Sequence, residues 1–223
     1  MQDFDTIYTR AATRKGGTQA LEALLPSPTD PADLAALGDD RILSLMAKCV
    51  FQAGFSWKVI ENKWPGFEEA FHGFQPKPVA YMSDEALEAQ LKNAAIVRNW
   101  QKIKSIRDNA QFVVELAAKH GSAARFFADW PGADQIGLMD VLKKRASRLS
   151  GTTGQYFLRF LGKDSFVLSK SVVAALIEDG VVDKPPTSKK ALATVQEAFN
   201  AWQTESGRPL TQISRVLAMS VDA

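Results

Sequence analysis

The sequence predicts an all-α protein, and three observations lead to this prediction. Apolar residues recur at helical spacing along two long stretches, 103–117 and 192–202. No Asn-Gly or similar dipeptide joins two alternating apolar runs, as it would in a β-hairpin. Hydrophobic residues make up 46% of the 223 residues and charged residues 23%, which is typical of a globular protein with a sizeable core.

A proline-rich loop near the N-terminus marks the first expected boundary. Pro26 and Pro31 lie in this loop and interrupt any helix. We therefore expect an N-terminal helical segment over 1–35 and a main domain over 36–223. The N-terminal segment is expected to pack together with the closing helices at 187–220.

Local signals predict several helices within the main domain. Apolar residues on one face predict a helix over about 40–51, and Ser83, which two acidic residues follow, starts a short one. Asn99 is the expected N-cap of a long helix that ends near Gly121. A last stripe of apolar residues predicts a helix from about 188 to 207.

A short glycine turn between two apolar helical patterns is the most informative stretch of the chain. Gly151 and Gly154 enclose Thr152 and Thr153 within a helical hairpin expected at about 140–163. We expect Gly154 to open the second helix of the hairpin. Backbone N–H groups at a helix N-terminus bind anions, so the four residues of this turn are candidates for contact with a phosphate.

The charge of the chain is concentrated around this turn. The formal net charge is only +2, but residues 93–170 contain 13 basic and 6 acidic side chains. Together with the turn, this excess favours nucleic acid as the source of the phosphate. Lys102, Lys143 and Lys144 are the candidate side-chain contacts, and a solvated surface of mixed charge is the alternative interpretation.

The composition also restricts the location of the protein. No apolar run approaches the roughly 20 residues of a membrane span, and the acidic N-terminus lacks the apolar core of a signal peptide. One cysteine excludes an internal disulfide and suits a reducing compartment. We therefore expect a cytoplasmic monomer with no membrane partner.

Several short motifs are spread over about residues 40–173. They are Phe51-Gln-Ala-Gly-Phe-Ser-Trp57, Phe67-Glu-Glu-Ala-Phe-His-Gly-Phe74, Ala95-Ile-Val-Arg-Asn99, Lys102-Ile103, Asn109-Ala110 and Gly151-Thr-Thr153. Together they resemble the bacterial 3-methyladenine DNA glycosylase I family, within the helix-hairpin-helix DNA glycosylase superfamily. The resemblance implies a two-lobed helical bundle that acts on double-stranded DNA containing alkylated bases.

Aromatic residues around Gly54 are the candidates for binding a base. An enzyme that acts on a base extrudes it from the duplex and holds it between aromatic or apolar surfaces. We expect Trp57 to stack on this base and Phe51 to line the same pocket. The resemblance assigns Gly54 and Phe55 to the loop that fills the gap in the duplex. Burial in the core is the alternative for each aromatic residue.

The resemblance also implies groups that this sequence lacks. The position of the family's pocket glutamate is occupied by Cys49, and that of the superfamily's catalytic aspartate by Ser169. The lysine of the superfamily's lyases is replaced by Gln155, so lyase chemistry is not expected. Apart from Cys49, only His72 and His120 are available as soft metal ligands, so we expect no zinc and no cofactor. No catalytic residue is identified.

The missing carboxylates narrow the expected reaction. An alkylated purine that carries a positive charge is already a good leaving group, whereas a neutral base requires acid or electrostatic assistance. The sequence therefore favours a monofunctional DNA glycosylase of base excision repair that hydrolyses the N-glycosidic bond of a cationic purine such as 3-methyladenine. The alternative is a non-catalytic DNA-binding or lesion-recognition protein that keeps the fold.

Overall fold

The structure is a computed structural model that describes residues 1–222. Its described residues form fourteen α-helices, three one-turn 3₁₀ helices and no β-strand, which confirms the all-α prediction. The α-helices are α1 Phe4–Lys15, α2 Thr18–Glu22, α3 Pro31–Ala35, α4 Asp39–Gln52, α5 Trp57–Ala70, α6 Pro76–Ala80, α7 Asp84–Ala89, α8 Trp100–His120, α9 Ala123–Asp129, α10 Gln135–Arg145, α11 Gly151–Leu161, α12 Lys170–Glu178, α13 Lys189–Ser206 and α14 Leu210–Ser220. The 3₁₀ helices are His72–Phe74, Gln90–Lys92 and Gly132–Asp134.

The predicted helix ends agree with the structure where a local cap defines them. Asn99 is the N-cap of α8, and its side chain accepts a hydrogen bond from the backbone N–H of Lys102 at 3.1 Å. Gly121 is the C-cap of the same helix. Ser83 and Ser188 cap α7 and α13 in the same way as Asn99 caps α8. None of the described helices combines the length and the apolar character that a bilayer span requires.

The described chain divides into two compact units. The terminal unit consists of residues 1–29, 131–138 and the described residues from 164 onward, and the central unit consists of 30–130 and 139–163. In this division α3 belongs to the central unit, where it packs against α9, and residues 131–138 belong with the two terminal segments. The expected boundary between residues 35 and 36 stays a prediction.

In the terminal unit, α1 packs against α13 and α14. Trp202 is fully buried, and its indole N–H donates to the backbone carbonyl of Gln2 at 3.1 Å. Phe199 stacks on Phe166 with 4.2 Å between the ring centroids. Arg10 donates to the buried carboxylate of Asp179 at 2.8 Å, so the charge in this core is paired.

In the central unit, the long helix α8 packs against α4, α6 and α9, and α4 also packs against α11. Buried Asn109 on α8 positions the chain that precedes α11. Its amide donates to the carbonyl of Ser147 at 3.1 Å, and its carbonyl accepts from the Ser147 N–H at 2.7 Å. This pair of hydrogen bonds fixes the predicted hairpin against the core of the central unit.

Candidate functional site

A cleft of about 250 Å³ opens in the central unit where α4, α5 and α11 approach one another. It brings the predicted base-binding residue Trp57 and the loop residue Gly54 together with Thr152 and Thr153 of the hairpin. These two groups are nearly one hundred positions apart in the sequence, so their meeting is a property of the fold. The lining consists of Cys49, Gln52, Ala53, Gly54, Trp57, Thr152, Thr153, Tyr156 and Phe160.

Three aromatic side chains form one side of this cleft. Trp57 is 50% exposed and meets Phe160 and Tyr156 nearly at right angles, with ring centroids 5.6 and 6.3 Å away. Tyr156 and Phe160 stack on each other at 5.7 Å. Sequence reasoning missed both α11 residues. The available signal was that they lie off the buried apolar face that contains Leu158 and Leu161.

The polar side of the cleft contains no carboxylate. Cys49 is 4% exposed, and burial raises the pKa of its thiol to about 12, so the thiol is neutral at physiological pH. Gln52 is also buried, and its side-chain N–H donates to the carboxylate of Glu61 at 3.3 Å. Glu61 in turn forms an ion pair of 2.7 Å with Lys48. Glu61 does not line the cleft itself, but its carboxylate is hydrogen-bonded to Gln52, which does.

The two phenylalanines of the predicted site have different environments. Phe51 is fully buried, lies edge-on to Phe67 at 4.6 Å, and does not line the cleft. The assignment of Phe51 to the pocket is therefore corrected, because its position on α4 points it into the core while Gln52, the next residue, faces the cleft. Phe55 is 40% exposed, so the prediction that it enters the duplex stays open as a prediction.

Lys102 is buried and caps the C-terminal end of α4. Its ammonium group donates to the backbone carbonyls of Val50, Phe51 and Ala53 at 2.8, 3.3 and 2.5 Å. A cation at this end of a helix stabilises the last carbonyl groups. Burial, and to a lesser degree the charge of Arg148, lowers the pKa of Lys102. This geometry corrects the assignment of Lys102 to phosphate binding, because its three donors are already used.

The glycine turn of the hairpin differs in register from the prediction. The helix α11 begins at Gly151, three residues before the expected Gly154, and Gly151 has a φ of +59° that favours glycine. Gly154 is buried, and a Cβ atom there would overlap the carbonyl oxygen of Leu149. The second glycine therefore permits close packing. The preceding Ser150 makes no side-chain capping bond.

A second basin, of about 330 Å³, adjoins the turn. Thr153 lines both this basin and the aromatic cleft. Arg148, Ser150 and Thr153 give the second basin a cationic group and two hydroxyl groups, which are suited to a phosphate. The full lining is Val50, Ala53, Lys102, Arg148, Ser150 and Thr153.

The remaining predicted phosphate contacts lie outside both basins. Lys143 and Lys144 are exposed at the end of α10, and Lys144 is paired with Asp140 at 2.5 Å. An exposed lysine near the start of α8, Lys104, lines a third basin of about 260 Å³ together with Arg148. Lys104 was not identified from the sequence, although it is two residues from Lys102 and off the buried face of α8.

The other positions that the resemblance singled out have structural roles. Ser169 belongs to the terminal unit and caps α12, where its hydroxyl accepts from the Val172 N–H at 3.3 Å. Gln155 is buried within α11. Across residues 1–222, no three His, Cys, Asp or Glu side chains are grouped so that they could hold a metal ion.

The fold is that of the helical DNA glycosylases. It aligns with 3-methyladenine DNA glycosylase I from Staphylococcus aureus at a TM-score of 0.52 and 23% identity, over 62% of this chain and 80% of that one. It also aligns with the 8-oxoguanine glycosylase/lyase of Methanocaldococcus jannaschii at a TM-score of 0.52 and 13% identity, over 96% of this chain and 95% of that one. At these identities the likeness concerns the fold alone.

Within that class, the chain belongs to the methyladenine glycosylase family, whose model matches residues 35–156. It is 37% identical over 60 residues to a DNA-3-methyladenine glycosylase of Haemophilus influenzae, over 27% of this chain and 32% of that protein. It is 35% identical over 65 residues to DNA-3-methyladenine glycosylase 1 of Escherichia coli, over 29% of this chain and 35% of that protein. The chain thus matches about a third of the length of these curated relatives.

Proposed function

We propose that the protein is a monofunctional DNA glycosylase that hydrolyses the N-glycosidic bond of a flipped, cationic alkylated purine such as 3-methyladenine. The observation that carries the proposal is the cleft in which Trp57 lies beside Thr152 and Thr153 of the hairpin. It provides a surface for one base next to a surface for the DNA backbone. The names of the curated relatives support the same substrate.

The cleft is suited to a base that carries a positive charge. Trp57 is half exposed, with Tyr156 and Phe160 beside it, and an aromatic face attracts a cation more than a neutral ring. When water attacks the sugar carbon, the glycosidic electron pair returns to the purine, which leaves as a neutral base. The proton of the attacking water passes to solvent. This reaction needs no acid at the base, in agreement with a lining without carboxylates.

The DNA backbone is proposed to bind at the hairpin. The first N–H groups of α11 have no partner within the helix, and Gly151 and Thr152 are exposed at its start. Arg148 and Ser150 line the adjoining basin and add charge and a hydroxyl group. Phe55 is exposed on the loop before α5, and we propose that it fills the gap that the extruded base leaves in the duplex.

The proposal is tested by incubating the purified protein with methylated DNA and measuring released bases by chromatography. We expect release of 3-methyladenine by the parent protein and a loss of about 5- to 100-fold in Trp57→Ala, the scale of one base–aromatic stack. Tyr81→Ala is the matched control, because Tyr81 is 82% exposed and lines none of the three basins described above. Equal losses in both variants would contradict the assignment of Trp57.

The absence of a carboxylate from the cleft favours one alternative, a lesion-binding protein without catalytic activity. Binding of a lesion-mimic duplex without release of any base, at high protein concentration, would establish that alternative. We further propose that the protein acts as a monomer in the cytoplasm. Its single cysteine is free, which suits a reducing compartment, and light scattering of the protein on DNA tests the stoichiometry.

A further inference from the structure

The cleft contains one buried amide whose orientation is imposed by a neighbouring charge. Gln52 is the last residue of α4 and lies one helical turn after Cys49, so both side chains face the cleft. The side-chain nitrogen of Gln52 donates to Glu61 at 3.3 Å. Only the nitrogen end of an amide can donate to a carboxylate, so the amide cannot turn round without placing its oxygen against a negative charge.

Both oxygens of the Glu61 carboxylate have a partner, Gln52 on one and Lys48 on the other. Glu61 is paired with Lys48 at 2.7 Å, and half of its side chain is exposed to solvent. Among residues 1–222, no hydrogen-bond donor is paired with the side-chain oxygen of Gln52, and this oxygen is not one of the fully buried side-chain atoms that lack a partner. The cleft therefore presents a hydrogen-bond acceptor at this position.

We propose that Gln52, oriented by Glu61, reads the edge of the flipped purine and selects an adenine-type base over a guanine-type base. This inference rests on the proposed function and specifies its substrate. Adenine carries an amino donor at the position where guanine carries an oxygen acceptor. The Gln52 oxygen accepts from the former and repels the latter. Gln52 is thus a specificity-determining residue, and Glu61 is a positioning residue that acts through it.

The proposed roles of Gln52 and Glu61 explain how a cleft whose lining has no carboxylate can discriminate between two bases. A site that forms a hydrogen bond with its substrate strongly rejects an analogue that leaves the polar group of the site unpaired. An apolar pocket rejects a substrate of different shape less strongly. Trp57, Tyr156 and Phe160 bind any flat base, because stacking is tolerant of sequence. Affinity and selectivity are therefore assigned to different sides of the same cleft.

The test compares binding of the free bases 3-methyladenine and 3-methylguanine, followed by quenching of tryptophan fluorescence. In the parent protein we expect 3-methyladenine to bind more tightly. In Gln52→Met, which keeps the length of the side chain, we expect the ratio of the two dissociation constants to fall by about tenfold. In Glu61→Gln the Gln52 amide can turn round, so we expect a fall of several-fold. Glu61→Gln also keeps the test valid if Gln52→Met does not fold.

Two controls separate this inference from simpler effects. Lys48→Met changes the local charge but leaves the bond between Gln52 and Glu61, so we expect the ratio to be preserved. Trp57→Ala should weaken both bases alike, again with the ratio preserved, and its binding is followed by calorimetry. An unchanged ratio in folded Gln52→Met and Glu61→Gln, or an equal fall in Lys48→Met, would overturn the inference.

The same experiment distinguishes failure of the inference from failure of the proposed function. If the parent protein binds both bases with equal affinity, the inference fails while the proposed function stands. If the parent protein binds neither base and releases none from methylated DNA, both fail. Binding of the free bases involves no hydrolysis of the glycosidic bond. A protein that binds the two bases selectively but releases none from DNA would therefore support the role of Gln52 and contradict only the proposed hydrolysis.

Discussion

Two helices at the cleft, α5 and α11, begin after a serine whose side chain makes no capping hydrogen bond, Ser56 in one case and Ser150 in the other. Serine caps elsewhere in the described chain behave differently. Their side chains each accept a backbone N–H of the helix that they begin, at Ser83, Ser122, Ser169 and Ser188. A serine cap contributes about 1 kcal/mol, so α5 and α11 forgo stability at the ends that meet the cleft.

The two uncapped starts nevertheless differ in chemistry. The start of α5 is aromatic, with Phe55 and Trp57 exposed. Buried Lys102 donates to the carbonyl of Ala53 in the loop that precedes α5. The start of α11 has glycines and hydroxyl groups, with exposed Arg148 before it. Under the proposed function, the start of α5 contacts the base and the start of α11 contacts the DNA backbone.

The largest effect is expected from Lys102→Met, which removes the ammonium group that binds the end of α4 and the loop before α5. Three backbone carbonyls lose a charged donor, and we expect a loss of about 2–3 kcal/mol in the free energy of unfolding. Urea denaturation measures it. The salt dependence of DNA binding should stay unchanged. If Lys102→Met instead kept the free energy of unfolding and flattened the salt dependence of DNA binding, Lys102 would be a phosphate contact after all.

Gly151→Ala tests the start of α11. A residue with a Cβ atom at a φ of +59° costs about 1–2 kcal/mol, and nothing lies within 4 Å of the added atom, so strain is the main consequence. We expect weaker binding of damaged and undamaged duplexes by the same factor, since backbone contacts carry no base information. Fluorescence anisotropy with both duplexes measures this factor. A loss confined to the damaged duplex would break the proposed division between the two helix starts.

The variant Cys49→Ala tests whether the thiol that α4 contributes to the cleft is buried and neutral. Burial raises the pKa of the folded-state thiol to about 12, above its unfolded value of about 8.5. The neutral thiol therefore favours folding below pH 8.5, and this contribution is lost as the pH rises towards 12. Relative to Cys49→Ala, we expect the parent to lose about 1.4 kcal/mol of unfolding free energy by pH 9.5. Identical pH profiles of the two proteins would contradict the burial of the thiol.

The smallest effects are expected from the exposed lysines. Lys143→Ala and Lys104→Ala should each lower the slope of log K against log salt by about 0.9 if each lysine contacts one phosphate. Lys102→Met serves as the control for Lys104→Ala, because both lysines lie on α8 and only Lys104 is expected to contact a phosphate. A slope that does not respond to Lys104 or Lys143 would assign these residues to an ordinary solvated surface.

The sequence alone determined the all-α class, several of the helices and the motifs that identify the family. The cap of Asn99 on α8 could be predicted because it joins residues three positions apart, and such bonds depend on local backbone geometry. The stripe from Ile103 to Ala117 similarly reports which face of α8 is buried. Trp57 and the glycine turn could be selected for the same reason, since each belongs to a short motif.

Only the tertiary structure decided what the polar residues of those helices contact. Lys102 is bound to carbonyls about 50 positions away, and no local pattern identifies these partners. Gln52 acquires its orientation from Glu61 on the next helix, and Phe51 turns into the core while its neighbour faces the cleft. Periodicity predicts that a face is buried, but the partner of a polar group depends on which helices meet, and this is determined by the packing of the whole unit.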